Sequence, residues 1–179
     1  MDQYSVYRDI EARTRGEIYL GVVGPVRTGK STFIKRFMEL FVLPAMENEH
    51  MKNQTRDELP QSAAGKTIMT TEPKFIPKEA AEISLDEETK VKIRLIDCVG
   101  FVIDGAFGLD ENNQVRMVKT PWLKEAIPFP QAAEIGTGKV IRDHSTVGIL
   151  VTTDGTIGNF PREAYKSAEE KTVLELKKT

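Results

Sequence analysis

Apolar and polar residues follow two different periods along this chain of 179 residues. Short apolar runs bounded by turn residues are typical of buried strands, and apolar residues three or four apart indicate amphipathic helices. The runs predict strands over residues 18–23, 91–96 and 147–152, and the helical spacing predicts helices over 31–40, 132–143 and 162–178. This order predicts an α/β fold with a mostly parallel sheet and helices on both faces.

A further strand is predicted before the second of these runs. Residues 82–85 and 91–96 alternate in polarity on either side of a polar turn at 86–89. Alternation on both sides of a short turn indicates a β-hairpin. We therefore expect one antiparallel hairpin strand in the sheet.

The first strand runs into Gly-Pro-Val-Arg-Thr-Gly-Lys-Ser at residues 24–31, which fits the P-loop pattern. Glycines let the loop curl so that its N–H groups face a phosphate, and the following helix adds its positive N-terminal dipole. Lys30 can bind the β/γ-phosphates, and the Ser31 hydroxyl can ligate Mg²⁺. The predicted nucleotide-binding residues are Gly24, Pro25, Val26, Arg27, Thr28, Gly29, Lys30, Ser31, Thr32 and Gly100.

Asp97 and Gly100 form a second nucleotide element after the strand at 91–96. The strand delivers Asp97 to the carboxyl edge of the sheet, where its carboxylate can hold the water shell of Mg²⁺. The N–H of Gly100 can approach the γ-phosphate. Because Asp-x-x-Gly also describes an ordinary strand end, its weight comes from its place after a P-loop.

Threonines between the two elements are the expected switch residues. GTPase-like domains order a threonine on Mg²⁺ and the γ-phosphate and release it on hydrolysis. Thr70 and Thr71 stand directly before the next strand and are the predicted catalytic threonines. Thr70 is also a predicted metal ligand, and Thr67 is the alternative candidate for the switch threonine. The alternative is that β-propensity alone favours threonine there.

Phe101 follows Gly100, where many small GTPases carry a glutamine that orients the attacking water. A phenyl ring cannot hydrogen-bond water, so Thr70, Thr71, Gln61 or a neighbouring subunit would have to do so. An arginine supplied in trans can be worth about 10³–10⁵ in rate. We therefore expect slow turnover by isolated chains and stimulation by self-association.

The remaining stretches carry weaker predictions. Residues 1–16 show a weak helical spacing, and we expect them to pack on the sheet edge rather than form an arm to another subunit. Pro44 is expected to end the first helix. Residues 45–72 are polar and without a clear period, so we predict an irregular switch-like region, and residues 101–130 read as a loop-like insertion near the nucleotide. In that insertion, Trp122 and Phe129 are expected to form a small local core.

Composition narrows the class of protein. A formal charge of −2 argues against nucleic-acid binding, and the single cysteine, Cys98, excludes an internal disulfide and fits a reducing compartment. No apolar run approaches the 18 or so residues of a membrane span, and the first residues lack a signal peptide. We expect one soluble, cytoplasmic P-loop NTPase domain over residues 1–179.

Three runs carry a resemblance to a known family: residues 19–35 around the P-loop, 57–75 around the threonines, and 149–158. They resemble stage IV sporulation protein A, the family of spore coat morphogenetic ATPases of endospore-forming bacteria. The resemblance implies a GTPase-like, translation-factor-related fold that uses ATP and Mg²⁺. Its Walker A lysine falls on Lys30, its Walker B aspartate on Asp97, and its sensor threonines on Thr70 and Thr71.

The resemblance also implies a place in the cell. Hydrolysis would drive self-assembly into a polymer that coats the forespore from the mother-cell cytoplasm. Contacts with a small amphipathic membrane-bound peptide and other coat proteins would use regions outside this chain.

No Asn-Lys-x-Asp guanine-reading sequence follows residues 147–152, where the nearest candidate is Thr152-Thr153-Asp154-Gly155. A GTP-dependent switch and a scaffold that holds nucleotide without turnover therefore stay open as alternatives.

Overall fold

The computed structural model describes residues 14–61, 71–85, 87, 89–103, 105–106, 109–111, 114–156 and 160–178. Most of the predicted helix at 1–16 lies outside these residues, as do Thr67 and Thr70. Strands run over β1 Glu17–Val23, β2 Lys74–Ser84, β3 Lys90–Asp97, β4 Asp110–Glu111, β5 Gln114–Val115, β6 Met117–Val118, β7 Ile127–Pro128 and β8 Val147–Leu150. Helices run over α1 Lys30–Phe37, α2 Leu43–Ala45, α3 Glu49–Asp57, α4 Phe129–Lys139 and α5 Lys166–Leu176.

A four-stranded sheet in the order β2-β3-β1-β8 forms the centre of the molecule. β1 is parallel to both β3 and β8, and β2 is antiparallel to β3. The mostly parallel sheet with one antiparallel hairpin strand is therefore confirmed. β2 is longer than predicted, and its register shifts between Ile76 and Ala81. Pro77 lies within this shift on an edge strand, where the ladder does not need its missing N–H.

Helices cover both faces of this sheet, as predicted. Adjacent residues of a strand point to opposite faces, and Leu95 and Ile96, both fully buried, belong to separate apolar clusters. Leu95 packs in the cluster that contains Ile34 of α1. Ile96 packs in the cluster that contains Ala168 of α5. The parallel strands are apolar on both sides because each side meets a helix layer.

The helical run that follows the P-loop ends at Ala45, one residue after the predicted end around Leu43–Pro44. After α1 the chain passes through a π-helical turn at Met38–Val42 and continues as α2 to Ala45. Pro44 lies in the first turn of α2, where a missing N–H breaks no helical hydrogen bond. The chain becomes extended only at Met46.

The region predicted to be irregular contains a helix. Asn48 caps α3 because its side-chain oxygen accepts hydrogen bonds from the N–H groups of His50 and Met51. Of this polar helix, Thr55 is the buried residue. A nearly all-polar helix has no apolar period to detect, and the cap was the available signal.

The insertion at 101–130 is also more ordered than predicted. β4 pairs with β5, and β6 pairs with β7, in two short antiparallel ladders. Strands of two residues are too short to produce a readable alternation. Phe129 is fully buried at the start of α4, whereas Trp122 is half-buried.

The later helices begin or end differently from their predicted bounds. α4 begins at Phe129 with a proline in its first turn and continues into a π-helical turn at Val140–His144. α5 is preceded by a 3₁₀ turn at Arg162–Tyr165. The helical run around α4 therefore begins three residues before the predicted 132–143, whereas that of α5 begins at the predicted residue 162 and ends at Leu176.

Candidate nucleotide-binding site

The loop at residues 24–31 joins β1 to α1, as the P-loop pattern requires. Gly24 has φ 138°, and a Cβ there would overlap the Val151 carbonyl oxygen that follows β8. Thr28 closes the loop from inside, since its hydroxyl lies 3.0 Å from both the Pro25 and Val151 carbonyl oxygens. The curl is therefore fixed by contacts within the loop and with the neighbouring strand.

Lys30 lies beneath this loop and is only 5% exposed. Its Nζ donates a hydrogen bond to the Pro25 carbonyl oxygen at 2.6 Å. Burial lowers the pKa of Lys30, and the nearby Cys98 and Asp97 oppose that shift. The ammonium group is held on a loop carbonyl, within the anion-binding curl where phosphate oxygens would be stronger acceptors.

Ser31 and Asp97 meet across the mouth of the loop. The Ser31 hydroxyl donates to Asp97 Oδ2 at 2.6 Å. β3 places the carboxylate there because Asp97 pairs in register with Val22, next to the end of β1. Burial raises the pKa of Asp97, while the hydrogen bond from Ser31 and the charges of Lys30 and Lys74 lower it.

These two side chains fit Mg²⁺. A hydroxyl and a carboxylate are hard oxygen ligands, and Mg²⁺ usually keeps several waters while it binds one or two protein groups and substrate phosphates. In the described ranges, no group of three or more His, Cys, Asp or Glu side chains could hold a metal by itself. The donor set therefore fits a metal that is shared with a nucleotide.

Gly100 packs directly on the P-loop. It has φ 94°, and a Cβ there would overlap the Gly24 carbonyl oxygen and lie 2.7 Å from Lys30 Nζ. Phe101 follows it with a side chain only 3% exposed, and its carbonyl oxygen accepts the Val26 N–H at 2.9 Å. Phe101 thus binds the P-loop through its backbone carbonyl, and its ring is buried in the core.

Three other predicted residues are either exposed or packed against another helix. Arg27 has φ 60°, and both it and Thr32 are exposed. Thr71 is buried against α4, where a Cβ at Gly136 would lie 2.7 Å from the Thr71 carbonyl oxygen. Among the described residues, no hydrogen bond joins Thr71 to the P-loop. The structure therefore brings together Lys30, Ser31, Asp97 and Gly100, and it packs Thr71 against α4.

The sequence comparisons now bear on this geometry. The model of the family described as Stage IV sporulation protein A, ATPase domain, matches residues 1–179. The chain belongs to this family. The resemblance drawn from the three sequence runs is thus confirmed over the whole chain.

Relatives in three species match nearly all of the chain. Stage IV sporulation protein A of Bacillus anthracis is 59% identical over 177 residues, which are 99% of this chain and 36% of that protein. The Bacillus subtilis protein is 58% identical over 177 residues, and that of Clostridioides difficile is 54% identical over 173. The chain spans about a third of the length of these curated relatives. No solved structure matched it.

In this member of the stage IV sporulation protein A family, two contacts escaped the sequence-based prediction. The Val151 carbonyl oxygen, which holds Thr28, is a backbone group that no motif reveals. Lys74 lies opposite Asp97 in the β2–β3 register, and its charge acts on that carboxylate. None of the helices in the described part of the chain is long and apolar enough to span a bilayer.

Proposed function

We propose that this chain is a P-loop NTPase domain of the GTPase-like, translation-factor-related type that binds ATP with Mg²⁺ and hydrolyses it. The observation that carries the proposal is the Ser31–Asp97 pair at 2.6 Å beside the buried amine of Lys30. A cation for phosphate and two oxygen ligands for a divalent metal converge at the mouth of one glycine-bounded loop. The family's description as an ATPase domain supports the same chemistry.

Each side chain has a separate task in this proposal. Lys30 exchanges the Pro25 carbonyl oxygen for phosphate oxygens, so its hydrogen bond is replaced rather than lost. The Ser31 oxygen would be a ligand of Mg²⁺ while its hydroxyl proton continues to donate a hydrogen bond to Asp97, and the Asp97 carboxylate would hold the metal's water shell. Bound Mg²⁺ would neutralise the charge that develops on the phosphate oxygens.

Hydrolysis additionally requires a group that orients water. The Phe101 ring is buried and cannot do this. We assign the sensing of the γ-phosphate to Thr70 and Thr71, on the basis of the family resemblance. Because Thr71 lies against α4, this assignment requires residues near 71 to move when nucleotide binds. Turnover is therefore expected to be slow until chains assemble.

ATP is the proposed nucleotide. In the loop after β8, the candidate closest to a guanine-reading aspartate is Asp154. Its Oδ1 accepts hydrogen bonds from the Thr156 N–H at 2.9 Å and the Thr156 hydroxyl at 2.6 Å, so this carboxylate oxygen caps its own turn. A GTP-dependent switch predicts the opposite preference, and competition of ATP and GTP for one fluorescent nucleotide analogue separates the two.

For the whole protein we propose that ATP hydrolysis drives self-assembly of a spore coat scaffold on the forespore surface, from the mother-cell cytoplasm. The proposed partners are further copies of the protein, a small amphipathic membrane-bound peptide and other coat proteins. The names of the relatives support a role in sporulation. The self-assembly is tested by light scattering with and without ATP.

A pair of lysine variants tests ATP binding. Lys30→Ala should abolish binding, because it removes the buried cation of the P-loop. Lys35→Ala is the matched control, since Lys35 lies on the same helix and pairs only loosely with Glu39 at 4.0 Å. Isothermal titration with ATP and Mg²⁺ gives both affinities. Unchanged affinity in the folded Lys30→Ala protein would refute the assignment.

A further inference from the structure

Arg94 has no ion-pair partner among the residues that the structure describes. It lies on β3, three residues before Asp97, and is partly buried. Its guanidinium is 5.7 Å from the centre of the Tyr19 ring and 5.5 Å from that of Phe75. No carboxylate of the described chain forms an ion pair with it, and its buried Nε has no hydrogen-bond partner. Cation–π contacts stabilise such a charge only in part.

This guanidinium lines a cavity of about 470 Å³. That volume falls in the range of small-molecule sites. An adjoining cavity of about 250 Å³ is lined by Trp122 and Lys139, and the two share Phe75 and His144 as walls. None of these side chains belongs to the P-loop or to the residues from Asp97 to Gly100. Because the two cavities share these walls we call them together the joined cavities, and none of their lining residues belongs to the nucleotide site.

The second cavity repeats the pattern of an unmatched donor beside an aromatic face. Trp122 Nε1 is buried and has no acceptor. Lys139 Nζ lies 6.0 Å from the centre of the Trp122 ring and 3.4 Å from Asp143 Oδ2. The Asp143 carboxylate is thus already engaged by a lysine. Carboxylates also line the cavities, Asp143 the larger one and Glu72 the smaller one, so the unmatched groups open to a ligand are the donors of Arg94 and Trp122 together with the ring faces.

We infer that the joined cavities bind a small aromatic oxyanion, a carboxylate or phosphate ester carried on a flat ring. The oxyanion would pair with Arg94, since a guanidinium can donate two parallel hydrogen bonds to either a carboxylate or a phosphate. The ring would stack among Phe75, Tyr19 and Trp122, where offset or edge contacts are favourable. Glu72 and Pro73 also line the smaller cavity, so an occupant would touch the segment that follows Thr71.

Trp122 is the only tryptophan of the chain, so its fluorescence reports on this place. Benzoate and phenyl phosphate are the probes, and benzyl alcohol is the uncharged control of similar shape. For ligands this small we expect dissociation constants near about 1 mM. The two anions should quench or shift the emission saturably, and the stronger of the two identifies the favoured headgroup. Benzyl alcohol should bind at least tenfold more weakly.

Substitutions test whether the anion binds at Arg94. Arg94→Gln should weaken benzoate binding at least tenfold, and Arg94→Lys should give a smaller loss, because an ammonium keeps the charge without the planar fork. Arg36→Gln is the matched control, since that arginine is 72% exposed on α1. Lys30→Ala should leave benzoate affinity unchanged. This last variant separates the cavity from the P-loop, whose ATP binding is measured independently.

Four results would overturn the inference. They are equal affinity for benzyl alcohol and benzoate, no saturable signal up to roughly 10 mM anion, full binding by folded Arg94→Gln, and loss of binding in Lys30→Ala. Should Arg94→Gln fail to fold by circular dichroism, Arg94→Lys and the benzyl alcohol comparison in the unaltered protein decide the question. Equal binding by both anions supports the site and shows that it does not select the headgroup.

Discussion

Replacing Gly100 with alanine tests whether this residue holds the P-loop in shape. Its φ of 94° is a backbone conformation that costs a residue with a Cβ about 1–2 kcal/mol. The new methyl group would also overlap the Gly24 carbonyl oxygen and lie 2.7 Å from Lys30 Nζ. Overpacking of this kind typically costs about 1–3 kcal/mol. Both penalties apply at one position, so we expect a total loss of about 3 kcal/mol.

Gly16→Ala is the matched control for the backbone penalty. Gly16 has φ 73°, but no atom lies within 4 Å of its would-be Cβ. For a domain of this size about 1 kcal/mol shifts Tm by about 2–4 °C. We therefore expect a fall in Tm of about 3–6 °C for Gly16→Ala and about 6–12 °C for Gly100→Ala.

Differential scanning calorimetry gives Tm, and titration calorimetry with ATP and Mg²⁺ gives affinity. Gly16→Ala should bind ATP like the unaltered protein. Gly100→Ala should bind at least tenfold more weakly, because the Gly24 carbonyl and the Lys30 amine must move apart to admit the methyl group. Equal Tm values for the two variants, together with normal ATP binding by Gly100→Ala, would refute the packing argument.

Three further variants or measurements follow from the site. Burial raises the pKa of Asp97, so the folded state binds that proton more tightly and stability falls as pH rises above about 4. Without metal, Asp97→Asn should therefore raise Tm above that of the unaltered protein by more at pH 7 than at pH 4. With Mg²⁺ and ATP, the same variant should lose ATPase activity. Gly136→Ala should push the Thr71 carbonyl away from α4, which favours the movement that the switch assignment requires, so kcat should rise about threefold with ATP affinity preserved. Burial raises the pKa of Cys98, so a thiol reagent should label it rapidly only in urea.

Much of the fold followed from residue patterns with a physical cause. The apolar runs at β1 and β3 predicted buried strands because both faces of those strands meet helices, as Leu95 and Ile96 show. The P-loop prediction placed Lys30 and Ser31 at the start of α1, where the structure has them. Asp97 followed from its position at the end of an apolar strand.

Other features left no readable pattern in the sequence. Helix α3 is nearly all polar and depends on the Asn48 cap, and β4 to β7 are two residues long. The π-helical turn at Met38–Val42 has no sequence pattern of its own and was not predicted. At the site, the hydrogen bond from the Thr28 hydroxyl to the Val151 carbonyl oxygen joins residues 123 positions apart. Such contacts depend on strand order, which local patterns do not encode.

Release of phosphate from ATP by the protein tests the central proposal most directly. The assay follows phosphate over a series of micromolar protein concentrations, with Mg²⁺ or with EDTA, and with GTP in place of ATP. We predict Mg²⁺-dependent release that favours ATP, has a turnover number that rises with protein concentration, survives in Lys35→Ala and disappears in Lys30→Ala. Release at an unchanged rate by the folded Lys30→Ala protein would contradict the account.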